Sequence, residues 1–199
     1  MIKFQYNKTA LAEMDKQLKM RERALPTIKS KESALRLEVK KARDIATDLD
    51  NRLESTMKRY EYMVELWSEF DTSLIEVKDI NVSHSKIAGV LIPVLKNIEF
   101  EVKPYNLFST PLWYADGVAI LQDLAHIGIE RELFTHKMEL LEFARKKTTQ
   151  KVNLYEKVQI PGYQEAIIKI KRFLEDEDNL SKSSQKIVKS RLEVEAAAQ

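Results

Sequence analysis

From Leu35 to Trp67 the apolar and small residues return on a nearly fixed step: Leu35, Val39, Ala42, Ala46, Leu49 and Leu53, then Met57, Tyr60, Val64 and Trp67. Steps of four and three residues place side chains on one face of an α-helix. One extra step of four, from Leu53 to Met57, reads as a stutter that locally relaxes a left-handed supercoil. Lys40, Lys41, Arg43, Asp44, Asp48, Asp50, Arg52 and Glu54 fill the positions between. A narrow apolar stripe on a charged cylinder needs a second helix to bury it. An ordinary amphipathic helix of a bundle shows the same spacing over a shorter length. This pattern outruns the roughly 25 residues beyond which a coiled coil or helical repeat is the better reading.

The flanking sequence supplies the rest of one helical arm, residues 1–72. Asn7 or Thr9 is placed to cap a helix starting near Ala10, and Leu11, Met14, Leu18 and Leu25 continue a 4-3 seam with Arg21 as its polar member. Pro26 predicts a kink or short break at Leu25 to Thr27, with Thr27 or Ser30 restarting a helix that runs from about Ile28 to Phe70. At 1.5 Å per residue the main segment is about 60 Å long, and about 90 Å if the first segment stacks on it.

Residues 73–109 read differently. Ile75 and Val77, Ile80 and Val82, and Ile98, Phe100 and Val102 alternate with polar residues, which is strand spacing. A hairpin turning within Ser83 to Gly89 is expected, leaning on the helices or on a partner because two strands alone are marginal in water. A connector of Pro104, Asn106, Ser109 and Pro111 follows, with Thr110 and Pro111 as N-cap and first residue of a new helix.

Residues 110–199 form the second helical arm. Ile120, Leu124, Ile127, Phe134, Met138, Leu141, Thr148, Val152 and Tyr155 lie on one 4-3 repeat, with Arg131 and Arg145 at its two polar positions. Pro161 and Gly162 predict a kink or break, after which Ile167, Ile170, Leu174, Ile187 and Val188 carry the pattern into a charged tail ending in Ala196, Ala197 and Ala198. The expected fold is mainly α: a long antiparallel two-helix coiled coil with a small β-hairpin region between the arms, both termini at one end and the hairpin at the other. The second arm is the longer, and its surplus is expected either as a separate helix near Thr110 to Gly128 or as a C-terminal overhang.

Charge and composition narrow the function. Of 199 residues 32% are charged and 4 are glycine, which favours helix over a compact mixed fold, while a net charge of +2 supplies no large field of one sign for nucleic acid or an anionic membrane. The absence of cysteine excludes disulfides, thiolate metal sites and a cysteine nucleophile, and fits an intracellular protein. Met1 to Lys8 has no apolar signal core, and the longest apolar run, Ile87 to Leu95, is too short to span a bilayer, so the chain reads as soluble. There is no glycine-rich phosphate loop. His84, His126 and His136 are not set at ligand spacing with carboxylates, and Glu175, Asp176, Glu177 and Asp178 lack the bent loop of a hard-cation site; surface and solvated-helix readings fit these residues better. No catalytic residue, cofactor site or metal site is expected. Trp67 with Phe70, and Trp113 with Tyr114, read either as packing where helices meet the hairpin or as a partner-binding patch.

Three stretches carry a family resemblance. Asn7 to Leu35 (NKTALAEMDKQLKMRERALPTIKSKESAL), ending in Lys29, Lys31, Ala34 and Leu35, resembles the N-terminal signature of the D subunit of V-type (A/V-type) ATP synthases. Lys151 to Pro161 (KVNLYEKVQIP) with Ala166 to Glu177 (AIIKIKRFLEDE) resembles the C-terminal signature, and Ile87 to Val94 (IAGVLIPV) the hairpin segment. Ala24 and Pro26, and Leu154 and Tyr155, depart from the commonest residues at their places.

The resemblance implies a non-catalytic central-stalk rotor shaft that transmits torque between ATP hydrolysis or synthesis and ion transport, cytoplasmic and peripheral to the membrane. Its paired helices would project into the catalytic hexamer of A and B subunits. Its hairpin end would lie toward the F subunit, with the funnel-shaped C subunit nearby. On that basis Lys16, Lys19, Arg23, Lys40, Lys41, Arg43, Lys182, Lys186, Lys189 and Arg191 are expected to face the hexamer, and Ile80, Val82, Ile98 and Phe100 to face the F subunit.

A prefoldin-like coiled-coil chaperone is the main alternative, although the tips here are rich in Lys and Glu. An F-type gamma-like shaft would need a larger α/β domain than residues Ser73 to Pro104 provide. A stand-alone enzyme comes last.

Overall fold

A computed structural model of the chain describes residues 2–106 and 110–197. Ser109 of the expected connector and Ala198 of the tail lie outside the described residues. The described chain is mainly helical, with one two-stranded antiparallel hairpin between its helical segments. It divides into two compact units, one from the described parts of Met1–Ser30 and Thr148–Gln199, the other Lys31–Lys147.

The first helix, α1, is continuous over Lys8–Arg59. Asn7 caps it: its Oδ1 accepts the Ala10 N–H at 2.6 Å. Pro26 stands inside the helix, and neither Thr27 nor Ser30 restarts it. The ring removes one backbone donor, the one that would reach Glu22, and Glu22 is exposed, so water can take that carbonyl. The seam residues on both sides of Pro26 stay half-buried, among them Arg21, Leu25 and Ile28.

Past Leu53 the helix departs from the expected course. It ends at Arg59 rather than Phe70, and gives way to a 3-10 turn (Glu61–Met63), a short helix α2 (Val64–Trp67) and a second 3-10 turn (Thr72–Leu74). The expected stutter is also absent. Met57 and Val64 are 59% and 61% exposed, while Met63 is buried and Thr56 and Tyr60 are half-buried. Burial therefore continues Leu49, Leu53, Thr56, Tyr60, Met63, Trp67, Phe70 in unbroken steps of four and three. Keeping one face inward outweighs the greater apolarity of Met57 and Val64.

In the Lys31–Lys147 unit, α1 packs antiparallel against the helix α3 (Tyr114–Leu154). Leu35, Val39 and Ala42 meet Leu141, and further along Arg131 Nε lies 2.6 Å from Asp50 Oδ1. The helix α3 starts at Tyr114, later than the expected cap, because Thr110 uses its hydroxyl to donate to Asn106 O at 2.9 Å and Pro111 O accepts the Tyr114 N–H in a turn. No separate helix forms near Thr110 to Gly128. Arg145, the second polar seam residue, donates to both carboxylate oxygens of Glu142 at 2.6 and 2.8 Å, and this guanidinium holds the Glu142 carboxyl below its ordinary range.

The hairpin consists of β1 (Ile75–Ile87) and β2 (Val90–Val102), longer strands than the alternation suggested. Its two-residue turn falls at Ala88 and Gly89, with φ of 49° and 81°, the left-handed pair of a type I′ loop. The base joins one cluster, where Ile75 packs beside Phe70, Leu74, Tyr114 and Val118. The tip joins the other: Ile92 is buried among Leu35, Val39, Ala42 and Leu141, with Ile87, Ala88 and Val90 packed around them. A strand of 13 residues reaches about 43 Å at 3.3 Å per residue. The hairpin thus starts at the far end of this helix pair but returns alongside it, which is how a two-stranded ribbon gains the apolar support it lacks alone.

In the other unit, the α3 segment from Thr148 leads into a π-turn, Tyr155–Gln159, and then the helix α4, Ile160–Ala197. Helical structure passes through Pro161 and Gly162 without interruption. The Ile160 N–H bonds back to Tyr155 O, and the wider turn relieves the contact between the Pro161 ring and the carbonyl four residues before it. Gly162 admits Ile2, whose Cδ1 lies 3.0 Å from where a β-carbon would stand. Ala166, Ile167 and Ile170 are buried, whereas every side chain from Glu175 to Glu193 is exposed. The surplus length of the second arm is therefore this C-terminal stretch.

Leu141 is 0% exposed and touches both α1 and the hairpin tip. Leu141→Ala is expected to lower unfolding stability by about 3 kcal/mol, read from the urea midpoint. A change under about 0.5 kcal/mol would mean that the hairpin tip is not seated on this core.

Candidate functional site

The surfaces available for partners are built from exposed charges on α1 and α4 and from one face of the hairpin. Lys16, Lys19 and Arg23 are exposed and line a shallow groove along α1 with Ala12, Asp15 and Met20. Lys19 is paired with Asp15 at 2.6 Å. In the same unit Lys182, Lys186, Lys189 and Arg191 are exposed on α4, with Lys189 3.8 Å from Glu193. Lys40, Lys41 and Arg43 are exposed in the Lys31–Lys147 unit, Lys41 paired with Glu38 at 2.9 Å. The ten basic residues thus occur as three groups distributed over two compact units. The Lys19–Asp15 and Lys189–Glu193 pairs are solvent-exposed and the Lys41–Glu38 pair is exposed on its lysine side; pairs open to water are individually worth a fraction of a kcal/mol and can open and re-form at low cost.

The hairpin face is more constrained. Ile80 pairs directly with Ile98, Val82 with Leu95 and Val77 with Phe100. These residues do not alternate strictly along either strand, since two residues rather than one lie between Val77 and Ile80 and between Leu95 and Ile98. One extra residue on each strand absorbs the difference, Lys78 on β1 and Lys96 on β2, where the register shifts. All six apolar side chains then share one face, with Asp79 opposite Glu99 and Asn81 opposite Asn97 on the other. Ile98 is 9% exposed and so is a packing residue, Phe100 is half-buried, and Ile80 and Val82 remain accessible. Val77, read from the sequence only as a strand residue, and Leu95 belong to the same face and were not among the expected partner contacts; the three-residue steps to Ile80 and Ile98 are the signal that marks them. A lysine at each bulge also discourages edge-to-edge pairing of this open ribbon.

The aromatic residues near the hairpin base pack on one another. Trp67, Phe70, Trp113 and Tyr114 form tilted and edge-to-face pairs with ring centres 4.9–5.6 Å apart, and Tyr114 donates its hydroxyl to Glu69 O at 2.8 Å. Gly117 makes room for them: a β-carbon there would stand 3.0 Å from both Phe70 and Trp113. Beside the cluster lies an apolar groove of about 610 Å³ whose walls include Met57, Tyr60, Val64, Trp67, Leu121 and Leu124. Sequence reasoning missed it by assigning Met57 and Val64 to the seam.

Among the described residues no three His, Cys, Asp or Glu side chains are grouped to hold a metal ion. His84, His126 and His136 are exposed, and the Glu175 to Asp178 run is an exposed turn of α4. No helix of the described residues is long and apolar enough to cross a membrane.

Two antiparallel helix pairs, one in each unit, with a β-ribbon inserted between the arms and mixed charge outside, define a coiled-coil protein. The family model for the D subunit of ATP synthase matches residues 10–190. The D subunit of the V-type ATP synthase of Borreliella burgdorferi is 32% identical over 195 residues, covering 96% of each chain. That of Chlamydia abortus is 28% identical over 85% of this chain and 84% of its own, and that of Chlamydia pneumoniae 26% identical over 87% and 85%. The chain belongs to the family of ATP synthase D subunits. Nothing in these relationships supports the prefoldin-like alternative.

Proposed function

We propose that the chain is the non-catalytic central-stalk shaft of a V-type ATP synthase, carrying torque between a catalytic hexamer of A and B subunits and the ion-translocating membrane ring. The observation that carries this reading is the pairing of family membership with a long helix, Lys8–Arg59, whose seam holds one face inward from Leu11 to Thr56. A shaft must resist twisting and slippage, and interlocked side chains along paired helices resist both. It must also reseat against successive faces of the hexamer. Weak exposed ion pairs suit this better than an adhesive apolar surface.

In this reading Lys16, Lys19, Arg23, Lys40, Lys41 and Arg43, with Lys182, Lys186, Lys189 and Arg191, face the hexamer. The hairpin lies toward the F subunit, with the C subunit beyond it toward the ring. The chain sits on the cytoplasmic side, peripheral to the membrane, and needs no cofactor of its own.

Two outcomes test the contacts. Changing Lys16, Lys19 and Arg23 together to Glu is expected to weaken incorporation into the A/B hexamer about tenfold at low salt, with a smaller loss at high salt as screening sets in. Unchanged incorporation and unchanged ATP-driven rotation would remove these residues from the contact surface.

For the hairpin, deletion is a poor probe because the tip covers Leu35 and Leu141. Ile80→Lys with Val82→Lys alters only accessible residues and is expected to weaken binding of the F subunit about tenfold and to change the hydrolysis rate of the assembled complex. Wild-type binding and turnover would exclude the assignment.

A further inference from the structure

Along α1 the seam Leu11, Met14, Leu18, Arg21, Leu25, Ile28, Glu32, Leu35 keeps strict steps of three and four, all buried or half-buried. The opposite helix does not. From Thr148 through Val152, Tyr155 and Gln159 it keeps the repeat; Gly162 and Ala166 are still inward, with Tyr163 and Ile167 beside them, but beyond these the inward residues are Ile170 and Leu174, one residue later than the repeat requires, while Lys169 and Phe173 are exposed. The π-turn at Tyr155–Gln159 takes up that residue, since a turn with five-residue hydrogen bonding holds one more than an α-turn.

An extra residue in a helix can in principle sit at any turn, so something must fix its place. Pro161 is one restraint. The other is Arg21. Its Nε donates to Gln159 Oε1 at 2.6 Å, its Nη1 donates to Gln17 Oε1 at 2.6 Å and Gln17 O at 3.0 Å, and its guanidinium lies over the Tyr163 ring at 4.6 Å. Gln17 fixes the guanidinium on its own helix, and the fork then grips the last residue of the π-turn and Tyr163 beyond it. The start of the turn is tied by the exposed Lys29–Glu156 pair at 2.7 Å.

We propose that Arg21 is a register lock: it holds the surplus residue of the second helix at residues 155–159 and so fixes the alignment of the two helices on either side of that turn. A polar group at one seam position sets register in this way in other coiled coils. The consequence for a shaft, resistance to slippage between its helices, rests on the stalk reading; the lock itself does not, and is tested on the isolated full-length chain.

Hydrogen exchange is the test. In Arg21→Met the seam gains an apolar side chain, so the thermal midpoint is expected to hold or rise. Exchange of the amides of residues 155–163 is nevertheless expected to increase about tenfold, while the Leu35 to Leu49 stretch is unchanged. Deleting the exposed Val158 in the same variant removes the surplus residue and is expected to restore slow exchange. Exchange at 155–163 that is unaffected by Arg21→Met, or an increase that the deletion does not reverse, would overturn the lock. Neither result bears on incorporation into the hexamer, which tests the stalk reading separately.

Discussion

The structure depends on a matching of periods. A face that recurs every three and four residues stays inward along a paired helix only while the partner keeps the same repeat. It is kept from Leu11 across Pro26 to the end of α1, and on to Phe70 through the 3-10 turns and α2 that follow Arg59. Every departure elsewhere is one residue, absorbed where it arises: the π-turn at Tyr155–Gln159 in the second helix, and the bulges at Lys78 and Lys96 in the hairpin. The two bulges lie on opposite strands and offset each other, so Ile87 meets Val90 at the tip in the same register as Ile75 meets Val102 at the base.

The polar members of the seam divide a second task among them. Arg21 bonds across to Gln159 and Arg131 lies against Asp50 on the facing helix, while Arg145 is held by Glu142 on its own helix. Leu, Ile and Val side chains fill an interface without distinguishing one alignment from a neighbouring one as sharply as a directional bond does. Apolar burial supplies cohesion, and the Arg21 bond to Gln159 supplies alignment where it forms. A shaft needs both, since cohesion alone would permit one helix to ride along the other.

Much of this was legible in the residues. The 4-3 seam from Leu11 to Leu53 and its partner from Ile120 to Tyr155 follow apolar type because those positions are buried or half-buried, and the order helix, hairpin, helix follows from the change of period at Ser73 and Lys103. Where type and position disagree, reading by type went astray. Met57 and Val64 look like seam residues yet line an exposed groove, while Thr56 and Met63 hold the inward face. Pro26 and Pro161 with Gly162 look like helix breakers, and each is overridden, the second by a π-turn whose only trace in sequence is a one-residue offset between two repeats. The hairpin face was half seen, because alternation was sought where a three-residue step marks each bulge. The exposed charges are plain in sequence, but which of them meet a partner depends on a surface the chain does not itself contain.

As the proposed central-stalk shaft, one copy of this chain serves as the axle of a larger catalytic ring. Native mass spectrometry of the complex formed on co-expression with A-type and B-type subunits tests it most directly. A single copy bound to a hexamer of three A and three B subunits is expected. A chain that stays out of the hexamer and assembles only with copies of itself would contradict it.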